Sequence, residues 1–294
     1  MKPSTEQDYR ERIVRTLVYI QRHLDDHLQP GALASAAAFS RFHFHRIFRG
    51  LVGESLGEHI RRLRLERAAR SLKQSDQPIT ETALDAGFET HESFTRAFTD
   101  MFGVPPSAYR AAHKSSPESA SGAHLGDVSG YHPPSHGDPP PVEIQELPPR
   151  RVVFLRHAGP YSEVGATWAR LMSWAGMRGL LGPGMLLIGI VHDDPDVTPA
   201  DKIRYDAAVT VSRPVAPEGD FGVMDLAGGT YAVFVHKGPY EKLDQTYQEI
   251  YGEWLPASGY PLRDVTAFEQ YVNSPQIVEE EDLLTRIHLP ITPE

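Results

Sequence analysis

Apolar residues recur every three or four positions through most of residues 1–112, the period of a helix with one buried face. Ile13, Leu17, Ile20 and Leu24 mark the first stripe, over 12–24, and Pro30 and Gly31 interrupt it. A short helix is expected over 33–39, with Ser40 as an N-cap candidate for a second helix over 41–53. There Phe44, Ile47, Phe48 and Leu51 share one side, while Arg41, His45, Arg46 and Arg49 fall off it. Leu56, Ile60, Leu63, Ala68 and Leu72 fit one long helix over 55–75. The short–long pairing then returns. A helix over 80–87 closes at Gly87, a suitable C′ residue. A second runs through 88–103, helical from about His91, with Phe94, Ala97, Phe98 and Met101 as its stripe and Thr95 and Arg96 off it.

The pattern changes after 112. Residues 113–141 hold six prolines with Ser, Gly and His and little apolar content, so they read as a linker. From 142 to 294, short β-type runs alternate with two helical patterns. This part repeats itself: HAGPYSEVGATWARLMSWA (157–175) aligns with HKGPYEKLDQTYQEIYGEW (236–254) at an offset of 79. Each copy follows an apolar strand and precedes two more. The expected unit is strand–helix–strand–strand, used twice, with the apolar faces of the two copies buried together. The fold class expected is therefore multidomain, an all-α domain over 1–112 followed by an α+β domain over 142–294.

Charge sharpens this division. The chain carries a net charge of −10, yet residues 1–114 hold 17 Lys and Arg against 14 Asp and Glu, and the remainder 12 against 25. A mildly basic half and a strongly acidic half point to different partners. No run approaches the roughly 18 apolar residues of a membrane span, and the first residues lack the apolar core of a secretory signal, so a cytoplasmic protein with no membrane partner is expected. The absence of cysteine excludes disulfides and thiolate chemistry. Among 14 histidines none form HxH or HExxH beyond His43 and His45; two residues apart on a helix, those two do not share a face, and the linker His124, His132 and His136 could bind metal only opportunistically. No metal, cofactor or catalytic residue is expected.

Two short helices about a tight turn, with a basic face on the second, are what a helix-turn-helix needs. Here the arrangement occurs twice. SRFHFHRIFRGLVGESLGEHIRRLRLERAARSL, followed by ITETALDAGFETHESFTRAFTDMFGVPPSAYR, resembles the DNA-binding domain of the AraC/XylS family over about 12–112. The resemblance implies a homeodomain-like double helix-turn-helix that reads two successive major grooves of double-stranded DNA. Carried over by position, base-facing residues would be Phe42, His45 and Arg46 in the first unit and His91, Glu92, Thr95 and Arg96 in the second. Arg41, Arg49 and Arg61 would contact phosphates. Arginine can grip guanine with two hydrogen bonds and glutamate can accept from cytosine. Phe42 departs from the usual polar reader and would suit a thymine methyl.

The two HxGPY motifs (157–161 and 236–240) and FEQYVNSPQIVEEEDLLTRIHLPI (268–291) resemble the GyrI-like (Rob-type) effector-binding domain. The resemblance implies a ligand groove between the repeats, lined by aromatics around one carboxylate. By position that carboxylate is Glu269, in an otherwise apolar strand whose repeat counterpart carries Gly189. Tyr161, Tyr205, Tyr240, Trp254 and Tyr271 are the candidate walls. Such a site suits a small aromatic or lipophilic effector, a cation included. Trp168, Leu171, Met172 and Ala175 recur at helical spacing, as do Tyr247, Ile250, Tyr251 and Trp254, so most of these aromatics are expected to pack helix against sheet. The function expected is a ligand-responsive transcription regulator, with RNA polymerase as a further candidate partner. The alternatives are hydrolysis of an electrophilic small molecule, with Glu269 and one of Tyr161, Tyr240 or Tyr271 as working pair, and sequestration of a toxic one.

Overall fold

The computed structural model describes residues 5–26, 28–114, 141–193, 198 and 200–293. Most of the expected linker, 115–140, lies outside the described residues. The rest forms two compact units. One gathers the described parts of 1–12, 38–55 and 133–294, and the other those of 13–37 and 56–132.

The second unit is helical. Helices α2 (Pro30–Ala36), α4 (Leu56–Gln74), α5 (Ile79–Asp85), α6 (His91–Phe102) and α7 (Pro106–Lys114) belong to it. Its core joins Leu65, Ala68, Ala69 and Leu72 of α4 to Ala83, Ala86, Phe94 and Phe98. Phe98 is the centre, with ring centroids 5.5 Å from Phe94, 4.4 Å from Phe102 and 5.3 Å from Tyr109. Gly87 adopts φ +77°, and the amide of Phe88 returns to the carbonyl of Ala83, which closes α5 as its C′ glycine should. Thr90 caps α6, its Oγ1 accepting from the Ser93 amide at 3.1 Å. One stripe position behaves otherwise than expected: Met101 stays 37% exposed, because the Phe98, Phe102 and Tyr109 rings already fill that side.

The first unit holds an eight-stranded antiparallel sheet in the order β1-β6-β8-β7-β3-β4-β2-β5. The strands are β1 (Val142–Leu147), β2 (Arg150–Ala158), β3 (Leu187–Val191), β4 (Arg204–Thr210), β5 (Phe221–Leu226), β6 (Gly229–Lys237), β7 (Phe268–Tyr271) and β8 (Leu284–Pro290). Helix α8 (Val164–Met177) follows β2. After β6 comes α9 (Leu243–Glu249), which continues through a π turn (Ile250–Trp254) into α10 (Leu255–Ser258). Each repeat is therefore strand–strand–helix–strand–strand, one strand longer than the sequence suggested. The added strands β1 and β5 are exchanged: β1 pairs with β6 of the other repeat and β5 with β2. The order reads the same from both edges, so a pseudo-two-fold axis runs through its centre, where β3 meets β7 and Gly189 faces Glu269.

The HxGPY motif proves to be a structural clamp. In each copy the glycine takes a positive φ (+142° at 159, +128° at 238). The histidine Nε2–H donates to the proline carbonyl, at 3.0 Å from His157 and 3.1 Å from His236. Its Nδ1 accepts from a helix threonine, Thr167 or Thr246. The turn is thereby tied to its helix, and the motif tyrosine is aimed at the sheet centre. The repeat offset of 79 that holds for these motifs becomes 80 beyond the helices, where Asp193 and Asn273 accept from the amides of Arg204 and Leu284. The π turn, a one-residue insertion by nature, is the added residue, and only the second repeat has it.

Helix α1 (Thr5–Arg22) begins in this unit, with the Tyr9 ring tilted against Phe39, centroids 5.2 Å apart. Helix α3 (Phe44–Val52) also belongs to it. It starts three residues later than expected, because Ser40 is not its cap. The Ser40 hydroxyl accepts from the Phe42 amide and donates to Asp264 at 2.5 Å, leaving 41–43 as a turn.

Candidate functional site

Helices α8 and α9, the two HxGPY turns and the centre of the sheet bring one carboxylate and six aromatic side chains together. Glu269 is 4% exposed, and both its oxygens are engaged. Tyr247 donates to Oε1 at 2.7 Å and Tyr271 to Oε2 at 2.6 Å. Behind Tyr271 stands a relay with one direction: Trp168 Nε1–H donates to the Tyr205 hydroxyl at 3.1 Å, and that hydroxyl lies 3.0 Å from Tyr271. Since Tyr271 spends its proton on Glu269, Tyr205 is the donor to it. The polar hydrogens of Trp168, Tyr205, Tyr247 and Tyr271 thus all run toward the carboxylate. Burial, and then the Glu269 charge, holds the hydroxyls of Tyr205, Tyr247 and Tyr271 well above the ordinary phenol range, so they stay donors.

Tyr161 and Tyr240, the two motif tyrosines, flank this centre. Tyr240 meets Tyr271 edge-on at 5.4 Å, and Tyr161 meets Tyr205 at 6.2 Å while its hydroxyl donates to the Asp193 carbonyl. Gly189 makes the arrangement possible. A Cβ there would lie 2.5 Å from the Tyr271 hydroxyl and 2.6 Å from that of Tyr205. Of the expected wall residues, Glu269, Tyr161, Tyr205, Tyr240 and Tyr271 are brought together. Trp254 stands apart, packed edge-on against Phe234 at 4.9 Å and stacked on Tyr260 at 6.2 Å. Trp168 and Tyr247, read from the sequence as packing residues, supply two of the cluster's polar contacts. A second buried carboxylate, Asp206, is already fully paired, with Arg156 at 2.7 and 2.8 Å and His192 at 2.7 Å. Among the described residues no group of His, Asp or Glu is placed to hold a metal ion, and no helix is long and apolar enough to cross a membrane.

The candidate DNA-facing residues divide. On α6, His91, Glu92 and Arg96 are exposed and Thr95 is half-buried. Arg61 on α4 is exposed as well. On α3 and the turn before it, the Arg41 guanidinium lies 4.9 Å from the centre of the half-buried Phe42 ring, and His45 is half-buried. Arg46 and Arg49 turn toward the sheet domain. Arg49 pairs with Asp244 of α9 at 2.9 Å. The Arg46 guanidinium sits 4.0 Å from the centre of the Tyr247 ring and 6.0 Å from that of Tyr251. Burial alone would lower its pKa, but Tyr247, Tyr251 and Glu269 outweigh that and hold it above the ordinary value.

Two further features fix α3 in this position. His43, 0% exposed, donates from Nε2 to the Val265 carbonyl at 3.0 Å and accepts at Nδ1 from the Tyr251 hydroxyl at 2.8 Å. Gly50 meets Gly252 of the π turn backbone to backbone; a Cβ on Gly50 would fall 2.5 Å from the Gly252 nitrogen, and one on Gly252 2.5 Å from the Gly50 oxygen. No sequence signal marked this docking, since it joins residues some 200 positions apart.

Residues 140–292 match the family described as GyrI-like small molecule binding domain, and residues 33–112 match a helix-turn-helix domain. The chain is 31% identical over 153 residues to the Probable transcriptional regulator YgiV of Escherichia coli (strain K12), covering 51% of this chain and 95% of that protein. It is 24% identical over 272 residues to the Right origin-binding protein of the same organism, covering 87% and 88%. It is also 40% identical over 106 residues to the Uncharacterized HTH-type transcriptional regulator YbfP of Bacillus subtilis (strain 168), a match that spans 36% of each chain.

Proposed function

The chain belongs to the GyrI-like small molecule binding domain family and carries an AraC-type helix-turn-helix domain ahead of it, and from that premise we propose a transcription regulator whose DNA binding answers to a small effector held at Glu269. DNA is read by α6 through His91, Glu92, Thr95 and Arg96, and by α3 through Phe42, His45 and Arg46, with Arg41, Arg49 and Arg61 on phosphates. The observation that carries the effector reading is the buried carboxylate of Glu269, ringed by aromatic side chains, with the hydroxyls of Tyr247 and Tyr271 donating to it and that of Tyr205 donating to Tyr271. A negative group among π faces favours an aromatic or lipophilic cation through charge and cation–π attraction together. Both carboxylate oxygens are acceptors in place, which suits holding a ligand better than activating water for hydrolysis.

The test is footprinting of the full chain on DNA upstream of its own gene, with Arg96→Ala and Glu269→Gln beside the wild type. Arg96→Ala is expected to weaken specific binding by about 1–3 kcal/mol. Glu269→Gln is expected to bind DNA and lose the response to cationic aromatic compounds. A cationic compound consumed in the presence of wild type and spared by Glu269→Gln overturns sensing in favour of hydrolysis. Specific binding undiminished in Arg96→Ala refutes the assignment of α6.

A further inference from the structure

We infer that Arg46 is an internal occupant of the Glu269 site, and that an effector bearing a planar delocalised cation releases helix α3 by taking its place. The inference rests on the effector reading above and adds to it the chain's own competitor and the consequence of displacing it.

A guanidinium on a tyrosine face beside a buried carboxylate is the contact the site would offer a cationic ligand. Arg46 already makes it, with its guanidinium over Tyr247 while the Tyr247 hydroxyl is bound to Glu269. The seat is built for the helix, not only for the arginine. The π turn that the first repeat lacks carries Gly252, and Gly252 lets the α3 backbone approach at Gly50. Tyr251 of the same turn holds His43. Asp244 and Asp264 take Arg49 and Ser40. Both Arg46 and Arg49 are thereby turned away from any DNA. A ligand that fills the space over Tyr247 must evict Arg46, and α3 then loses the contact that ties it to the Glu269 site, leaving the Gly50–Gly252 approach, the His43 bonds and the Arg49–Asp244 pair to hold it. The free chain is thus a form in which the first reading helix is withheld, and the ligand's affinity is reduced by the fraction of time Arg46 occupies the site.

Benzamidine, an aromatic ring with a planar amidinium, is the probe, and neutral benzamide the control. Calorimetry on the full chain is expected to show Arg46→Ala binding benzamidine roughly tenfold or more tighter than wild type, with Glu269→Gln binding poorly. Release is read separately. The chain has no cysteine, so Arg49→Cys supplies one thiol whose labelling rate reports access to α3. Benzamidine is expected to raise that rate and benzamide to leave it unchanged. Gly252→Ala, which adds a methyl against the Gly50 carbonyl, is expected to raise it with no probe, and circular dichroism checks that the variant is folded. If Arg46→Ala binds benzamidine no tighter than wild type while Glu269→Gln loses binding, the internal occupant is refuted and the site stands. If Glu269→Gln binds as well as wild type, the site itself is wrong. A labelling rate unmoved by both benzamidine and Gly252→Ala refutes release.

Discussion

Acidification should act on the seat of α3 through one buried ring. His43 is fully buried and held neutral, its pKa pushed down to about 4 by burial first and by the neighbouring Arg46 charge second. Around it stand Tyr251, Asp264 and the carbonyls of Val265 and Arg263. The unfolded chain takes up a proton near 6.5, whereas the folded one does so only near 4. The stabilisation is therefore complete above about pH 6.5 and is lost as pH falls toward 4. Full crossing of that interval corresponds to about 3.4 kcal/mol, and at pH 5 about 2 kcal/mol is already gone. His288, also lowered to about 4 by burial, contributes a similar loss. Urea unfolding followed by tryptophan emission is the assay, since Trp168, Trp174 and Trp254 all lie in the same compact unit as His43. In His43→Gln the side-chain amide keeps a donor toward Val265 and cannot titrate. Its fall in stability between pH 7.5 and pH 5 should be smaller than that of the wild type by about 2 kcal/mol. Parallel losses in the two proteins would falsify the assignment.

Three other outcomes follow from the packing and the network. Phe98→Ala removes the ring at the centre of the helical core and should cost about 3–5 kcal/mol, seen as a lowered melting midpoint with the sheet domain retained. Thr90→Ala removes the α6 cap and should cost about 1 kcal/mol, measured by helical circular dichroism on heating. Gly189→Ala forces a methyl against the Tyr205 and Tyr271 hydroxyls; benzamidine binding should weaken, and unchanged affinity in a folded variant would show that the tyrosine relay plays no part in the site.

The helical half was legible because its information is local. The stripes Phe44, Ile47, Phe48, Leu51 and Phe94, Phe98 are written at a three-to-four spacing and are buried as such. Glu269 stood out for a similar reason, as one charged residue in an apolar strand. The two HxGPY copies marked the repeat, though not the histidine clamp they serve. What escaped was relational. Amphipathic β1 and β5 are too short to announce that they cross to the other repeat. Trp168 and Tyr247 look like packing aromatics because periodicity records the face and not the polar tip. Trp254 shares that face, but at the end of the π turn it meets Phe234 and Tyr260 instead. Arg46 bears a charge on a helix surface, and nothing in its neighbours tells that the surface is covered by a segment 200 residues away.

The pairing of Gly189 with Glu269 has a consequence for how such a domain can arise. Two identical polypeptides arranged about a symmetry axis must present every axial side chain twice. On a ladder rung whose Cα atoms are about 4.5–5.5 Å apart, twin glutamates would repel and share a proton, and the charge on each would be halved. Tandem duplication within one chain lifts that restriction, since each half is then free to diverge at the axis. Here one half carries a carboxylate on the rung and the other no side chain. The centre of the sheet therefore has an acidic side and a neutral side. A pseudo-symmetric sheet is thus polar at its axis.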